Sequence, residues 1–380
     1  MDQFSFERTH LAIAYCDSLE GRGIANATSG LFLAGPRRVG KSTFLKDNLI
    51  PEAKKRDWIT VYVDLWANKN ADPATLITEA IKASIASHKN KLAKLTQNIK
   101  FDKISIMGAL ALDFSKPGLP DTMTLTDALR LLGKMTGKPI LLVIDEAQHA
   151  LSTKEGLNAM FALKSARDQI NTNHEKTQLM LVFTGSNRDK LAQLVVKKDQ
   201  PFFGSEVTAF PLLGKAYTDA FTQWVNKSLA KNNQFTEASM WQAFQLVGHR
   251  PEILRHLVAQ AALGGEASDF AALLEQDAFI WHSRIWEEFE SDFNALPPLQ
   301  QAILEVLMNQ GRAWAPFSED SMNAYQALTH QAEHSATTIQ SAIQYLRDRG
   351  FIWQSGRGAY ALEDESFGEW LKHRKNSAKA

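Results

Sequence analysis

Eight consecutive residues have the types and spacing that bind a nucleotide phosphate: Gly35-Pro36-Arg37-Arg38-Val39-Gly40-Lys41-Ser42. Glycines in such a loop let successive backbone N–H groups turn toward a triphosphate. Lys41 is expected to reach the β- and γ-phosphates, and the hydroxyl of Ser42 is expected to bind Mg²⁺. All eight residues, with Thr43 after them, are therefore predicted to bind ATP. The alternative is a plain glycine turn between two surface elements.

Two adjacent carboxylates, Asp145 and Glu146, follow a continuous apolar run that begins at Ile140. A strand buried on both faces needs such a run, and its carboxyl end is where an α/β sheet presents its site. Asp145 is therefore predicted to bind Mg²⁺ together with Ser42, and Glu146 to orient or deprotonate the attacking water. The alternative is a helix N-terminus whose acidic residues interact favourably with the helix dipole.

A third polar segment, Thr184 to Arg188, follows the apolar run Gln178–Phe183. In P-loop ATPases a polar side chain at this place can hydrogen-bond the γ-phosphate or the attacking water. Ser186 is the first candidate for that catalytic role and Asn187 is the second. An ordinary polar turn after a strand is the alternative.

The elements that must position these residues are short strands with helices between them. Four segments have the apolar, β-branched and aromatic content of buried strands: Leu31–Ala34, Trp58–Asp64, Pro139–Ile144 and Gln178–Phe183. Residues Pro73–Ile85 between them have helical periodicity. The fold class predicted is α/β, a P-loop NTPase with a parallel sheet. The lysine-rich stretch from Ser87 to Asp121 is interpreted as a variable connection with a solvated face.

The composition excludes several classes of protein. The chain has 380 residues, of which 44% are hydrophobic and 22% are charged, as expected for two or three globular domains. Lys plus Arg and Asp plus Glu both number 42, so any contact with nucleic acid or a membrane must be a local patch. One cysteine excludes an internal disulfide, and the N-terminal residues do not have signal-peptide order. We therefore expect a cytoplasmic protein without a membrane partner.

The second half of the chain predicts two further modules. The pattern between Pro211 and Phe289 is typical of helices throughout, so residues 211–294 are predicted to form a helical lid. Pro297-Pro298 marks a boundary after it. Helices followed by a glycine-turn hairpin, Phe351–Leu362, predict a C-terminal winged helix-turn-helix at residues 295–380. The domains predicted are thus 1–210 for the ATPase core, 211–294 for the lid and 295–380 for the winged helix.

Taken together, these motifs resemble the AAA-type ATPases, in particular the branch with the archaeal-type ATPases and the origin-recognition and STAND relatives. The resemblance continues at Gly248–Leu254, which looks like the segment that opens a helix of the family's lid. It implies that Arg250 faces the nucleotide, with Arg255 as the second candidate. Relatives often carry a Gly-Arg pair that reaches a neighbouring subunit, but residues 201–206 contain no arginine, and Arg188 is the candidate substitute.

The residues leave three functions open, and the resemblance implies the first of them, an ATP-hydrolysing switch. One is an AAA-type ATPase that acts on DNA or on a protein partner and self-associates. Another is a nucleotide-gated scaffold that does not hydrolyse ATP, which fits the missing Gly-Arg pair. The third is a small-molecule P-loop kinase, against which the Asp145-Glu146 pair argues.

The winged helix leaves two partners open. A winged helix can place its second helix in a DNA major groove, with its hairpin on phosphates. The predicted recognition helix is not strongly basic, because it carries Gln340 and Gln344 as well as arginines. We expect Arg347, Arg349 and Arg357 to contact either DNA phosphates or an acidic protein surface.

Overall fold

The computed structural model describes residues 4–22, 26–68, 70–88, 123–172, 177–263, 269–331, 333–356 and 358–377. The chain divides into two compact units. The sheet unit contains residues Glu7–Gly35 and Lys41–Phe210, and the helical unit contains residues 1–6, Pro36–Gly40 and Pro211–Ala380. None of the described helices combines the length and the apolar character that crossing a bilayer requires.

The sheet unit is built on a parallel five-stranded sheet in the order β2-β3-β4-β1-β5. Its strands are β1 (Leu31–Ala34), β2 (Ile59–Asp64), β3 (Ile140–Asp145), β4 (Leu179–Gly185) and β5 (Val207–Ala209). Every residue of β1, β3 and β4 is buried, as their continuous apolar sequences require. The predicted parallel sheet is confirmed.

Helices flank this sheet and fill its core. They are α1 (Thr9–Leu19), α2 (Lys41–Phe44), α3 (Ile50–Lys55), α4 (Pro73–Ser87), α5 (Leu125–Thr136), α6 (Lys154–Thr172) and α7 (Arg188–Val196). A π-helical turn, Leu45–Leu49, joins α2 to α3. Pro51 lies just beyond it and lacks an N–H for the carbonyl one turn back, which accounts for the local widening. A 3₁₀ turn, Ala147–Ser152, follows β3.

The helical unit begins with four helices around an aromatic core. They are α8 (Lys215–Asn226), α9 (Glu237–Leu246), α10 (Pro251–Ala262) and α11 (Phe270–Asn294). Tyr217, Phe221 and Phe244 are buried at their centre, and Phe4 and Phe6 pack against the same cluster. Proline at the first position of α10 suits a helix start, because that N–H has no partner inside the helix.

The C-terminal part of the helical unit has its own core and a small antiparallel sheet. Its elements are α12 (Pro298–Gln310), α13 (Glu319–Thr329), α14 (Ala336–Asp348), β6 (Ile352–Gly356), β7 (Ala359–Leu362) and α15 (Glu365–Ser377). Serine side chains cap α13 and α14 at their N-termini. Tyr325 is fully buried and accepts a hydrogen bond from the indole of Trp314 at 2.9 Å. The predicted helix at 337–349 and the hairpin after it are present.

Candidate nucleotide site

The parallel register brings the carboxyl ends of the central strands to one edge of the sheet. Asp64 is paired with Asp145 across β2 and β3, and Ala34 is paired with Gly185 across β1 and β4. The N–H of Gly35 donates to the carbonyl of Gly185 at 3.1 Å, which anchors the start of the phosphate-binding loop. Four strands that are far apart in sequence therefore end side by side, where an α/β sheet presents its ligand site.

Two residues of the predicted phosphate-binding loop lie in the left-handed region. Gly40 has a φ of 89°, which glycine adopts without a steric penalty, and Arg38 has a φ of 66°, which is uncommon for a residue other than glycine. The Lys41 side chain is buried, and its ammonium donates to the carbonyl of Gly35 at 2.7 Å. Ser42 is half-buried at the start of α2, while Arg37 and Thr43 are exposed.

Asp145 is buried, and three donors hold its carboxylate. Its Oδ1 accepts from the hydroxyl of Thr184 and from the N–H of Glu146 at 3.2 Å, and its Oδ2 accepts from the hydroxyl of Tyr62 at 2.8 Å. Burial raises the pKa of Tyr62, and the charge of Asp145 raises it further, so the phenol remains a donor at any physiological pH. These three hydrogen bonds hold the Asp145 carboxylate in one orientation.

Glu146 is anchored through one of its two oxygens. Its Oε2 accepts from the hydroxyl of Ser186 at 2.7 Å, from the N–H of Ser186 at 3.2 Å and from the side-chain amide of Gln148. Within the described parts of the chain, no hydrogen bond reaches its Oε1. The backbone of Glu146 has φ of 55°, which is uncommon for a residue other than glycine and turns the chain sharply after β3. The structure thus brings Asp145, Glu146 and Ser186 together.

Gln148 is a buried member of this cluster, with only 5% of its surface exposed. Its Nε2 donates to Glu146 and lies 3.3 Å from the hydroxyl oxygen of Ser186, while its Oε1 has no hydrogen-bond partner among the described residues. A Cβ atom at Gly185 would lie only 2.6 Å from that Oε1. Glycine at this position therefore leaves the space that the glutamine amide occupies.

The residues present fit a magnesium ion held jointly with a nucleotide. No group of three His, Cys, Asp or Glu residues with metal-binding geometry occurs in the part of the chain that the structure describes. Mg²⁺ in nucleotide sites takes only one or two protein oxygens, with phosphate oxygens and water completing its octahedron. The hydroxyl of Ser42 and the carboxylate of Asp145 are ligands of the kind that this arrangement needs.

The lid residue expected to face the nucleotide lies in the helical unit. Arg250 is half-buried and immediately precedes α10. Glu252, in the first turn of α10, pairs with Arg38 at 3.7 Å, and both of these residues belong to the helical unit. Arg255, the second candidate, packs its guanidinium over the rings of Phe4 and Phe221 at 5.3 and 5.8 Å. Its guanidinium therefore has aromatic partners within the helical unit.

The remaining candidates have the following places. Asn187 caps α7, where its side chain accepts from the N–H of Lys190 at 2.8 Å, and Arg188 is half-buried in the first turn of that helix. Arg347 and Arg349 lie at the C-terminal end of α14. Arg357 lies outside the described residues, as does most of the lysine-rich stretch Ser87–Asp121.

Three residues of the site were not predicted to have roles: Tyr62, Gln148 and Thr184. The sequence positions of Gln148 and Thr184 could have indicated a role in the site. Gln148 follows Glu146 by two positions, and Thr184 precedes Ser186 by two. Tyr62 carried none, since an aromatic residue within a strand is ordinary core. Only the pairing of β2 with β3 brings its hydroxyl to Asp145.

The chain is similar to one protein-family model and to several solved structures. Residues 26–191 match the family model of the AAA domain. The whole chain is similar in structure to the Walker-type ATPase of Pyrococcus abyssi, with a TM-score of 0.55, 18% identity and coverage of 97% of this chain and 96% of that one. It is also similar to the ORC2 protein of Aeropyrum pernix in its ADP form, with a TM-score of 0.55, 13% identity and coverage of 96% and 93%. No curated protein matches the sequence.

These findings concern mainly the sheet unit. Residues 26–191 are similar to AAA domains, so the expected AAA resemblance is confirmed for that segment. At these identities the two solved structures establish the fold alone. The fold is that of a P-loop NTPase, with the parallel five-stranded sheet described above.

Proposed function

We propose that this protein binds ATP with Mg²⁺ and hydrolyses it, working as an AAA-type switch on a DNA or protein partner. The observation that carries the proposal is the arrangement at the ends of β3 and β4. Glu146 is anchored to Ser186 through Oε2, beside an Asp145 whose carboxylate is held by three donors. A carboxylate fixed in this way, next to a phosphate-binding loop, suits the activation of water for attack on a phosphate.

Each residue of the site has a chemical role in this proposal. Backbone N–H groups of Gly35–Ser42 surround the phosphates, and Lys41 places its ammonium on the β- and γ-phosphates. Mg²⁺, held by Ser42 and Asp145, would neutralise charge on the phosphate oxygens. Glu146 takes the proton of the attacking water, and Ser186 holds Glu146 in place.

Arg250 is proposed to add a positive charge to the same nucleotide. The contact between Glu252 and Arg38 supports this role, because Arg38 is a residue of the predicted phosphate-binding loop that belongs to the same unit as Arg250. Arg250 directly precedes the first turn of α10, which contains Glu252. The aromatic contacts of Arg255 make it the weaker candidate.

Two variants separate ATP binding from hydrolysis. Lys41→Ala removes the charge that the phosphates need, so we expect loss of binding in a calorimetric titration with ATP and Mg²⁺. Glu146→Gln leaves the phosphate-binding loop intact, so we expect normal binding and a fall of roughly 10²-fold or more in phosphate release. Lys54→Ala is the matched control, since Lys54 is an exposed lysine of α3. Unchanged affinity in Lys41→Ala, or an unchanged rate in Glu146→Gln, contradicts the assignment.

A scaffold that binds ATP without hydrolysing it is the second candidate function. It is favoured by the sequence of residues 201–206, which contains no arginine where relatives often carry one. An arginine supplied by a neighbour raises the rate of related enzymes by roughly 10³–10⁵. The calorimetric titration and the phosphate-release assay together distinguish the two functions: the scaffold binds ATP tightly and releases no phosphate at any protein concentration.

We also propose that ATP promotes self-association or docking on a partner. Light scattering with and without a slowly hydrolysed ATP analogue tests self-association. A larger particle is expected with the analogue, together with a specific activity that rises with protein concentration. A monomer in both states, with an activity independent of concentration, contradicts the proposal.

Residues 295–380 are proposed to act as a winged helix, following a lid at 211–294 and an ATPase core at 1–210. The order of α12, α13 and α14 before the β6–β7 hairpin supports this proposal. The guanidinium of Arg349 lies 5.7 Å from the ring of the exposed Tyr345, and Arg347 donates to Gln344 at 3.3 Å. Arginines supported in this way can present charge to a phosphate backbone or to an acidic protein.

A salt titration tests the DNA partner. If DNA binds, its affinity falls steeply with salt, because each neutralised phosphate releases counterions. Replacing Arg347 and Arg349 with alanine is expected to lower both the affinity and the salt slope, by about 1 in the slope for each contact. Replacing Lys227 and Lys231, exposed lysines of the helical unit, removes the same charge as a control. No binding at low salt with ATP present assigns the module to a protein partner.

A further inference from the structure

The geometry points to Gln148 as a positioning residue for hydrolysis. We infer that its side-chain amide fixes the carboxylate of Glu146 on Ser186, so that a single oxygen of Glu146 is left to take the proton of the attacking water. This inference rests on the proposed function, because it assigns Glu146 the role of the base. It adds a residue to which neither the motifs nor the comparisons give a role.

The hydrogen bonds of the three side chains form a closed ring. Ser186 donates its one hydroxyl proton to Oε2 of Glu146 and accepts from Nε2 of Gln148, and the same Nε2 donates to Oε2 of Glu146. Every hydrogen in this ring points toward the Glu146 carboxylate or toward the hydroxyl oxygen of Ser186, which itself donates to that carboxylate. The ring therefore presents only hydrogen-bond donors to Oε2 of Glu146, which holds this carboxylate in one orientation.

The orientation of the Gln148 amide is selected by charge and by shape. A reversed amide would direct its oxygen at the carboxylate of Glu146. The partial negative charge on the amide oxygen would then be repelled by the carboxylate. In the orientation found, Oε1 lies in the space left by the missing side chain of Gly185, where it has no partner among the described residues. Oε1 of Gln148 is therefore left without a hydrogen bond among the described residues, and the Nε2 hydrogens of Gln148 point toward Glu146 and Ser186.

Gln148 is also held firmly enough to position another group. It lies in the 3₁₀ turn that follows Glu146, and its side chain is almost completely buried. The fixed amide thus prevents the Glu146 carboxylate from rotating about its last bond. Without it, Ser186 alone would hold Oε2, and the two oxygens of Glu146 could exchange places.

Gln148→Met tests the inference, since methionine has a similar length and no amide hydrogens. We expect kcat for ATP hydrolysis to fall about 10- to 100-fold, as misplacement of a reacting group does, with KM within about twofold. In a Glu146→Gln background the same change should alter the residual rate less than about twofold, because no base is left to position. Gln245→Met, at an exposed glutamine, is the control and should retain the wild-type rate.

Gln148→Asn gives an independent readout, because it keeps the amide and shortens its reach by one methylene. We expect kcat to fall with KM within about twofold, and we expect this fall to be absent in the Glu146→Gln background. A solely structural role for Gln148 would give equal losses in both backgrounds. This variant also decides the question if Gln148→Met does not fold, as shown by its thermal unfolding.

The outcomes separate this inference from the proposed function. Wild-type kcat in Gln148→Met, or equal losses with and without Glu146, overturns the role of Gln148 and leaves ATP hydrolysis standing. Equal losses for Gln148→Asn with and without Glu146 overturn it as well. A wild-type protein that binds ATP but releases no phosphate overturns the proposed hydrolysis, and the inference with it.

Discussion

The hydroxyl of Thr184 offers a sharp test of how the site is held together. Thr184 is completely buried, and its hydroxyl donates to Oδ1 of Asp145 and accepts from the N–H of Glu146 at 3.3 Å. Thr184→Val keeps the shape of the side chain and removes only the hydroxyl. We expect the sheet unit to lose stability, because a buried carboxylate loses one of its three donors.

The size of the loss follows from these contacts. A hydrogen bond to a charged group contributes roughly 1.5–3 kcal/mol, and we take about 2 kcal/mol because Asp145 keeps two other donors. At 1.4 kcal/mol for each factor of ten, this loss corresponds to a roughly 30-fold increase in the fraction of molecules whose sheet unit is opened by unfolding. Thr184→Ser, the matched control, keeps the hydroxyl and loses one methyl group, for about 0.8 kcal/mol or roughly fourfold.

The single cysteine of the chain provides the assay. Cys16 lies in the sheet unit with 0% of its surface exposed, and burial raises the pKa of its thiol to about 12. A thiol reagent therefore labels it only when the sheet unit opens. The labelling rate in increasing urea should be about 30-fold faster for Thr184→Val than for wild type. If Thr184→Val is labelled no faster than Thr184→Ser, the hydroxyl has no stabilising role and the reasoning is wrong.

Three further predictions concern single positions. Gly185→Ala should displace the Gln148 amide, since a Cβ would lie 2.6 Å from its Oε1, and phosphate release should fall while ATP affinity in the calorimetric titration is kept. Arg250→Ala should weaken ATP binding in the same titration more than Arg255→Ala does; the reverse order contradicts the assignment. Above pH 9.0, the ordinary pKa of a cysteine, the unfolded chain releases a proton that folded Cys16 keeps until about pH 12. Urea unfolding should therefore show stability falling across that range, and less so in Cys16→Ser.

Local patterns in the sequence were enough to predict the main parts of the fold and the motifs. The phosphate-binding loop depends on residue types at fixed spacing along a short segment. The buried strands were predicted from continuous apolar segments, such as the one that ends at Asp145. The strand β3 spans Ile140–Asp145, as that pattern predicts. Such features lie within a few residues of one another, so no knowledge of distant contacts is needed.

The partners of the motif residues were decided by tertiary structure. Tyr62 reaches Asp145 across 83 positions of sequence, and Ser186 reaches Glu146 across 40. Both contacts follow from strand order, because β2 and β4 flank β3 and their carboxyl ends meet at one edge. Strand order is a property of how distant segments pack, and no local pattern encodes it.

The sequence by itself therefore determined which residues can do chemistry here: a lysine, a serine and two carboxylates at the ends of buried strands. It did not determine what holds them. Gln148 and Thr184 became part of the site only when the chain folded, because a glutamine amide needs the empty space at Gly185 and a threonine hydroxyl needs Asp145 on the neighbouring strand. Hydrogen bonds act over about 3 Å, so the groups that position a catalytic carboxylate are set by the packing of the strands and turns around it.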